Sequence, residues 1–184
     1  MFITLLTEPR AGSTNFANWF FGLDFIVLYT PSDPLSKWYQ NGVLPKEYIY
    51  KTKNILVKED FYPEKNFDEL IKISDKVILL YRENEVEQIE SWVEAKRTGN
   101  FDQPYRYKNI INDKYISNSN YFKLLKSEFY DRYLKTDEFF KISYEELYYN
   151  NGIDRVINYL GLEKYNKFPI GSRYRIFTEI NTFI

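Results

Sequence analysis

Two clusters of residues in this sequence have the make-up of anion sites. The first, Pro9-Arg10-Ala11-Gly12-Ser13-Thr14, joins an apolar run from Phe2 to Thr7 to a helical pattern beginning at Ser13. A strand-to-helix turn of small residues leaves backbone N–H groups at the positive end of the helix dipole, where a phosphate or sulfate can accept them. Ser13 and Thr14 add hydroxyl donors, and Arg10 adds a charge in a planar fork. The bland alternative is a helix capped by Ser13 or Thr14. The G-x-x-x-x-G-K-[ST] pattern of phosphate-binding P-loops, with its Lys, is missing. In the second cluster Arg82 closes the run Lys76 to Tyr81, and Ser91 follows on a helical pattern. If that helix turns back over the sheet, the two side chains can clamp one phosphate. Otherwise Arg82 pairs with Glu83, Glu85 or Glu87, and Ser91 is a solvated helical residue.

The rest of the chemistry is narrowed by two absences. The chain has no Cys and no His, which excludes disulfides, thiol nucleophiles, imidazole metal ligands and a Ser-His-Asp triad. A general base must then be Asp, Glu, Lys or Tyr. Asp33, in Ser32-Asp33-Pro34, and Glu59 and Asp60, which directly follow Lys58, are among the acids open to that role. Each has a plainer reading: Ser-Asp-Pro is a common turn or helix cap, and Lys58 is a surface lysine among acids. Gly171-Ser172-Arg173 offers a late phosphate contact. The net charge of −1 provides no global field for nucleic acid or anionic membrane, so anion binding must be local.

The elements that must position these residues follow from periodicity. Strand-like runs cover Phe2 to Thr7, Phe25 to Tyr29, Asn54 to Val57, Lys76 to Tyr81 and Glu138 to Ile142. Several are continuously apolar, as strands covered on both faces are. Helical patterns lie between them at Ser13 to Phe21, Phe67 to Ile73, Glu83 to Lys96, Ser119 to Leu134 and Asp154 to Leu160. This alternation predicts an α/β fold with a central parallel sheet flanked by helices. With 184 residues a single domain is expected, its core at 2–162 and a C-terminal extension at 163–184. The N-terminal run lacks the form of a secretory signal, and no segment is long and apolar enough to span a bilayer. A cytoplasmic protein is the expectation. Aromatics make up 20% of the chain, and Trp38, Tyr39, Trp92, Tyr105 and Tyr107 can floor a sugar or phenol site, although rings more often pack a core.

Pro9 to Thr14 resembles the 5′-phosphosulfate loop, P-[KR]-[ST]-G-[ST]-[TS], of sulfotransferases that use 3′-phosphoadenosine 5′-phosphosulfate (PAPS). The Arg form is that of the tyrosylprotein and Stf0-type branches, and Ala11 stands where Ser or Thr is usual. The stretch from Arg82 is similar to R-x-D-x-x-x-Q-A-x-S-x-x-x-A-x-x-T-G: Arg82, Gln88, Ser91, Ala95, Thr98 and Gly99 fall in register, with Asn84 for Asp and Ile89 for Ala. Tyr144-Glu145-Glu146-Leu147 and Tyr159-Leu160-Gly161-Leu162 resemble the late Y-E-[ED]-L and F-L-G-L signatures, with Tyr144 expected to close a strand.

The resemblance implies a P-loop nucleotide-kinase-like sulfotransferase fold, PAPS as donor, 3′-phosphoadenosine 5′-phosphate (PAP) as product, and no metal. It assigns Arg10, Ala11, Gly12, Ser13 and Thr14 to the 5′ phosphosulfate, and Arg82 and Ser91 to the 3′ phosphate; Arg173, from the late Gly171-Ser172-Arg173 run, would add to these. Lys58 resembles the Lys of the K-[TD]-[HP] segment that reaches the transferring group, which makes Arg10 and Lys58 the catalytic cations. The base is expected to be Asp33, then Asp60, then Glu59. The acceptor is expected to be a small molecule or glycan, with no nucleic acid as partner and a homodimer left open. Two other readings compete: a phosphotransferase of the P-loop type, which needs Mg²⁺, and a degenerate module that binds PAP or PAPS without transfer.

Overall fold

The computed structural model describes residues 1–23, 25–30, 54–98 and 113–162, with side chains for all of these except 113–118. Its strands are β1 (Phe2–Thr7), β2 (Ile26–Tyr29), β3 (Ile55–Asp60), β4 (Lys76–Tyr81) and β5 (Phe140–Ser143). Its helices are α1 (Ser13–Trp19), α2 (Asp68–Lys72), α3 (Glu85–Thr98), α4 (Asp113–Phe129), α5 (Tyr144–Tyr149) and α6 (Ile153–Leu160). A 3₁₀ turn, Phe20–Leu23, extends α1, and a π turn, Tyr130–Leu134, closes α4.

The five strands form one sheet in the order β2-β3-β1-β4-β5, with every pairing parallel. Both faces are covered, as the continuously apolar strands require. On one face Ile3, Leu5, Leu56, Ile78, Leu80 and Ile142 meet Phe16, Phe20, Tyr148, Val156 and Leu160 from α1, its 3₁₀ turn, α5 and α6. On the other, Leu6, Val77 and Leu79 meet Phe61, Phe67, Leu125 and Phe129. β1 lies at the centre. The chain leaves β1 toward β2 and leaves β4 toward β5, in opposite directions across the sheet. In open α/β sheets such a switch point, at the carboxyl ends of the strands, is where a ligand crevice opens.

The parallel α/β architecture is the one expected, and two local readings are corrected. β3 does not stop at Val57 but runs through Lys58, Glu59 and Asp60, because pairing with the end of β1, Thr7 opposite Asp60, carries the charged residues into the ladder. Tyr144 does not close a strand. Strand β5 ends at Ser143, whose hydroxyl caps α5 by accepting from the Glu146 N–H at 3.1 Å. Gly161 does close α6 in the left-handed region, with φ 69°.

Candidate anion-binding site

The two Arg-bearing turns sit side by side at the switch point between β1 and β4. The chain leaving β1 is held to β4 by the Glu8 N–H on Leu80 O at 3.1 Å. It then turns tightly, with Arg10 at φ 65° and Gly12 at φ 76°. Arg10 pays for that left-handed backbone with strain of the kind that concentrates at functional sites. Gly12 occupies the N-cap of α1, and no side chain caps the helix. Capping by Ser13 or Thr14 is therefore not what starts α1. The first helical bond runs from Phe16 N–H to Gly12 O at 3.3 Å, so the amides of Ser13, Thr14 and Asn15 precede the helical ladder. Ser13 is buried and Thr14 exposed. Ala11 has its methyl in the core, and its N–H donates to Glu8 O at 3.3 Å. That amide is used by the turn itself.

Gly12 rests against two rings of α5. The Tyr148 hydroxyl donates to Gly12 O at 2.7 Å, and burial pushes that phenol well above its ordinary pKa. Tyr144 packs beside Tyr148, with ring centroids 4.7 Å apart.

The two turns are joined by a bond neither shows alone. Arg10 Nε donates to Ser91 Oγ at 2.8 Å. Ser91 therefore meets Arg10 rather than closing directly on Arg82. Arg82 approaches the same loop, its Nη1 donating to Arg10 O at 3.5 Å. Its guanidinium lies 4.4 Å over the Tyr144 ring, pairs through Nη2 with Glu87, and has Glu145 3.8 Å from Nε. The Arg82–Glu87 pairing is the one the bland reading anticipated. Glu145 also accepts the Glu83 and Asn84 N–H groups at 2.9 and 3.1 Å. Asn84, where the sulfotransferase pattern has Asp, caps α3 by accepting the Glu87 N–H at 3.2 Å. An amide oxygen does this as a carboxylate would.

Behind the turns lies a buried network that the sequence motifs identify only in part. Glu8 Oε2 accepts from the Arg82 N–H (3.2 Å), Gln88 Nε2 (3.0 Å) and Lys126 Nζ (3.1 Å). Glu8 and Gln88 are fully enclosed. Of Glu8, Gln88 and Lys126, only Gln88 falls in a sequence motif. Lys126 carried a signal: with Phe122, Leu125 and Phe129 buried on α4, its spacing places it on the inward stripe.

Lys58 is buried and donates to Asp60 Oδ2 at 2.6 Å. Both project from β3 on the face of Leu5, which pairs with Lys58, while Glu59, opposite Leu6, points to the other face. Trp92 belongs to the core, 5.7 Å from Phe122, and not to an acceptor floor. The Thr98 hydroxyl closes the last turn of α3 on Glu94 O at 2.8 Å. Asp33, Arg173, Gly99, Trp38, Tyr39, Tyr105 and Tyr107 lie outside the described residues. Among the described residues no group of three or more Asp and Glu side chains is placed to hold a metal ion. No helix there is long and apolar enough to cross a membrane.

No protein-family model and no curated protein matches this chain. Among solved structures, the fold is similar to that of a mouse sulfotransferase, SULT7A1, complexed with PAP. The TM-score is 0.56 at 14% identity, over 90% of this chain and 60% of that one. The chain thus spans about 60% of the length of this neighbour. At that identity the likeness shows a sulfotransferase-like fold.

Proposed function

We propose that this protein is a sulfotransferase that takes a sulfuryl group from PAPS and passes it to a hydroxyl or amine of a small-molecule or glycan acceptor, in the cytoplasm. The observation that carries the reading is the Arg10–Ser91 bond at 2.8 Å. It draws both anion motifs into one site at the switch point, with the Arg82 guanidinium against the same loop. Two guanidinium groups on neighbouring turns suit a ligand with two separate anionic groups.

The donor supplies an activated sulfuryl group whose bridging S–O bond breaks as a new bond to the acceptor oxygen or nitrogen forms. The chain's part is to hold charge and move one proton. Arg10, with the amides opening α1 and the Ser13 and Thr14 hydroxyls, would hold the 5′ phosphosulfate and stabilise charge on the departing phosphate. Arg82 and Ser91 would hold the 3′ phosphate. Lys58 is our second catalytic cation, which requires it to exchange Asp60 for the reacting group. Asp33 is our first choice for the base that takes the acceptor proton. Asp60 follows because it is engaged by Lys58, and Glu59 comes last because it faces away.

One observation favours a second reading. The carboxylate of Asp60 already sits on Lys58, as it would in a module that binds PAP without transfer. Calorimetric titration with PAP, ATP and AMP in metal-free buffer tests both. Micromolar PAP binding with little ATP or AMP binding supports the nucleotide site, and acceptor screening then separates enzyme from module. No PAP binding overturns the proposal. Binding of ATP that requires Mg²⁺ would point to a phosphotransferase.

A further inference from the structure

We infer that Lys126 is a positioning residue which, through Glu8 and Gln88, sets the spacing of the Arg10 and Arg82 anchors and hence the preference for a nucleotide charged at both its 5′ and 3′ ends. This rests on the sulfotransferase reading above and adds to it a residue from a helix that otherwise stands behind the site.

The argument is one of valence and placement. An ammonium has three donors. Lys126 Nζ places them on Glu8 Oε2 at 3.1 Å, Gln88 Oε1 at 2.9 Å and Arg82 O at 2.7 Å. Glu8 in turn accepts the Arg82 N–H at 3.2 Å, so the backbone of Arg82 is held on both its donor and its acceptor. Gln88 Nε2 reaches Glu8 at 3.0 Å and Pro9 O at 2.9 Å, which fixes the residue before Arg10. Gln88 and Ser91 are three apart on α3 and so share a face, and the grip on Gln88 also sets where Ser91 meets Arg10 at 2.8 Å. One cation thereby references both anchors and the helix between them to a single point.

A structural strut alone would not call for these groups. A buried ion pair is often no more stabilising than well-packed apolar side chains of the same volume. An apolar residue at Lys126 would fill the space but would fix neither the Arg82 carbonyl nor the Glu8 carboxylate in direction. Charge-assisted hydrogen bonds do so, with tight geometry.

The test compares wild type with the double variant Glu8→Gln/Lys126→Met, which removes both charges and strands neither. Affinities for PAP and for AMP are measured by calorimetry, with AMP in competition against PAP, and melting temperature is recorded beside them. A positioning role predicts that PAP affinity falls about tenfold or more, the cost of misplacing one charge-assisted bond, while AMP affinity falls less than about threefold. Lys126→Gln, which keeps a donor and an acceptor for its neighbours, should lie between the two and replaces the double variant if that one is too unstable to titrate. A lower melting temperature with an unchanged ratio of PAP to AMP affinity overturns the inference and makes Lys126 a strut. If wild type itself fails to bind PAP, both this inference and the sulfotransferase reading fall.

Discussion

Replacing Gly12 by Ala should destabilise the protein and spoil the loop for a reason that can be measured in parts. Gly12 sits at φ 76°, and an ideal Cβ there would lie 2.8 Å from Tyr144 Cδ2 and Cε2 and 3.0 Å from Tyr148 Cε2. The left-handed backbone alone costs a residue with a Cβ roughly 1–2 kcal/mol. The overlap adds roughly 1–3 kcal/mol, the usual range for overpacking a filled site. Neither ring is free to retreat: Tyr148 is buried with its hydroxyl on Gly12 O at 2.7 Å, and Tyr144 is buried beneath Arg82. The sum, about 2–5 kcal/mol, should lower the melting temperature by roughly 4–20 °C at about 2–4 °C per kcal/mol for a chain of this size. Urea unfolding of wild type, Gly12→Ala, Tyr144→Ala and the double variant forms a cycle. Removing the Tyr144 ring should return the steric part, giving a coupling of about 1–3 kcal/mol, and leave the backbone part. If Gly12→Ala lies within about 0.5 kcal/mol of wild type, or the cycle shows no coupling, the packing described for this loop is wrong.

Four further outcomes are expected. Arg10→Ala and Arg82→Ala should each abolish PAP binding in calorimetry, and retention of wild-type affinity by either would remove that residue from the site. Asp33→Asn should lower sulfuryl transfer and spare PAP binding, with full activity moving the base to Asp60 or Glu59. Glu87→Gln should tighten PAP binding several-fold, since a half-buried pair of this kind is worth about 0.5–1 kcal/mol and its carboxylate stands where the phosphate would pair; weaker binding would give Glu87 a supporting role instead. Stability should fall as pH rises above about 10. The Tyr148 phenol keeps its proton in the fold beyond the ordinary value of 10.0. Below that value both states hold the proton, and above it the unfolded chain releases its proton first, so the unfolded state gains. Urea midpoints between about pH 8 and pH 11 should drop less steeply in Tyr148→Phe, and equal slopes would refute the assignment.

What the sequence shows and what it hides follows from the range of the forces involved. β1 and β4 are legible because continuous apolar runs bounded by Pro9 and Arg82 leave few alternatives. The end of β3 is not, because Lys58-Glu59-Asp60 opposes strand propensity locally and only pairing with β1 overrides it. Helix α5 is masked by Tyr144, Tyr148 and Tyr149, which read as strand residues, although Ser143-Tyr144-Glu145-Glu146 carries a capping-box pattern. The site shows the same division. Arg10, Ser91 and Arg82 are visible as residue types, each with its own turn. Their partnership is not, since it depends on β1 lying beside β4, and one sequence does not state strand order. Lys126 is further away still, 118 residues from the carboxylate it pairs with.

The distribution of buried polarity argues that this edge of the sheet is shaped for a ligand. Among the described residues the buried polar and charged ones are Thr4, Thr7, Glu8, Ser13, Lys58, Glu59, Gln88, Ser91 and Ser143. All but Thr4 lie toward the carboxyl ends of strands or in the turns and helix that follow them. The opposite edge is closed cheaply, by Asp75 on the Phe2 N–H at 2.7 Å and by Thr4 with Ser74 at 2.7 Å. Burying a charge costs several kcal/mol unless it is paired, and apolar packing would serve stability at least as well. A concentration of Glu8, Lys58 and Glu59 at one edge therefore needs a reason beyond holding the sheet together. The pairing pattern supplies one. Glu8 is enclosed and meets Lys126, which is itself half-buried, whereas Arg82 and Lys58 are matched by Glu87 and Asp60, carboxylates more exposed than Glu8. An incoming anion can displace those outer carboxylates without disturbing the inner pair. On the proposed reading, Glu8 and Lys126 hold the geometry, and Glu87 and Asp60 keep the cations neutralised until the nucleotide replaces them.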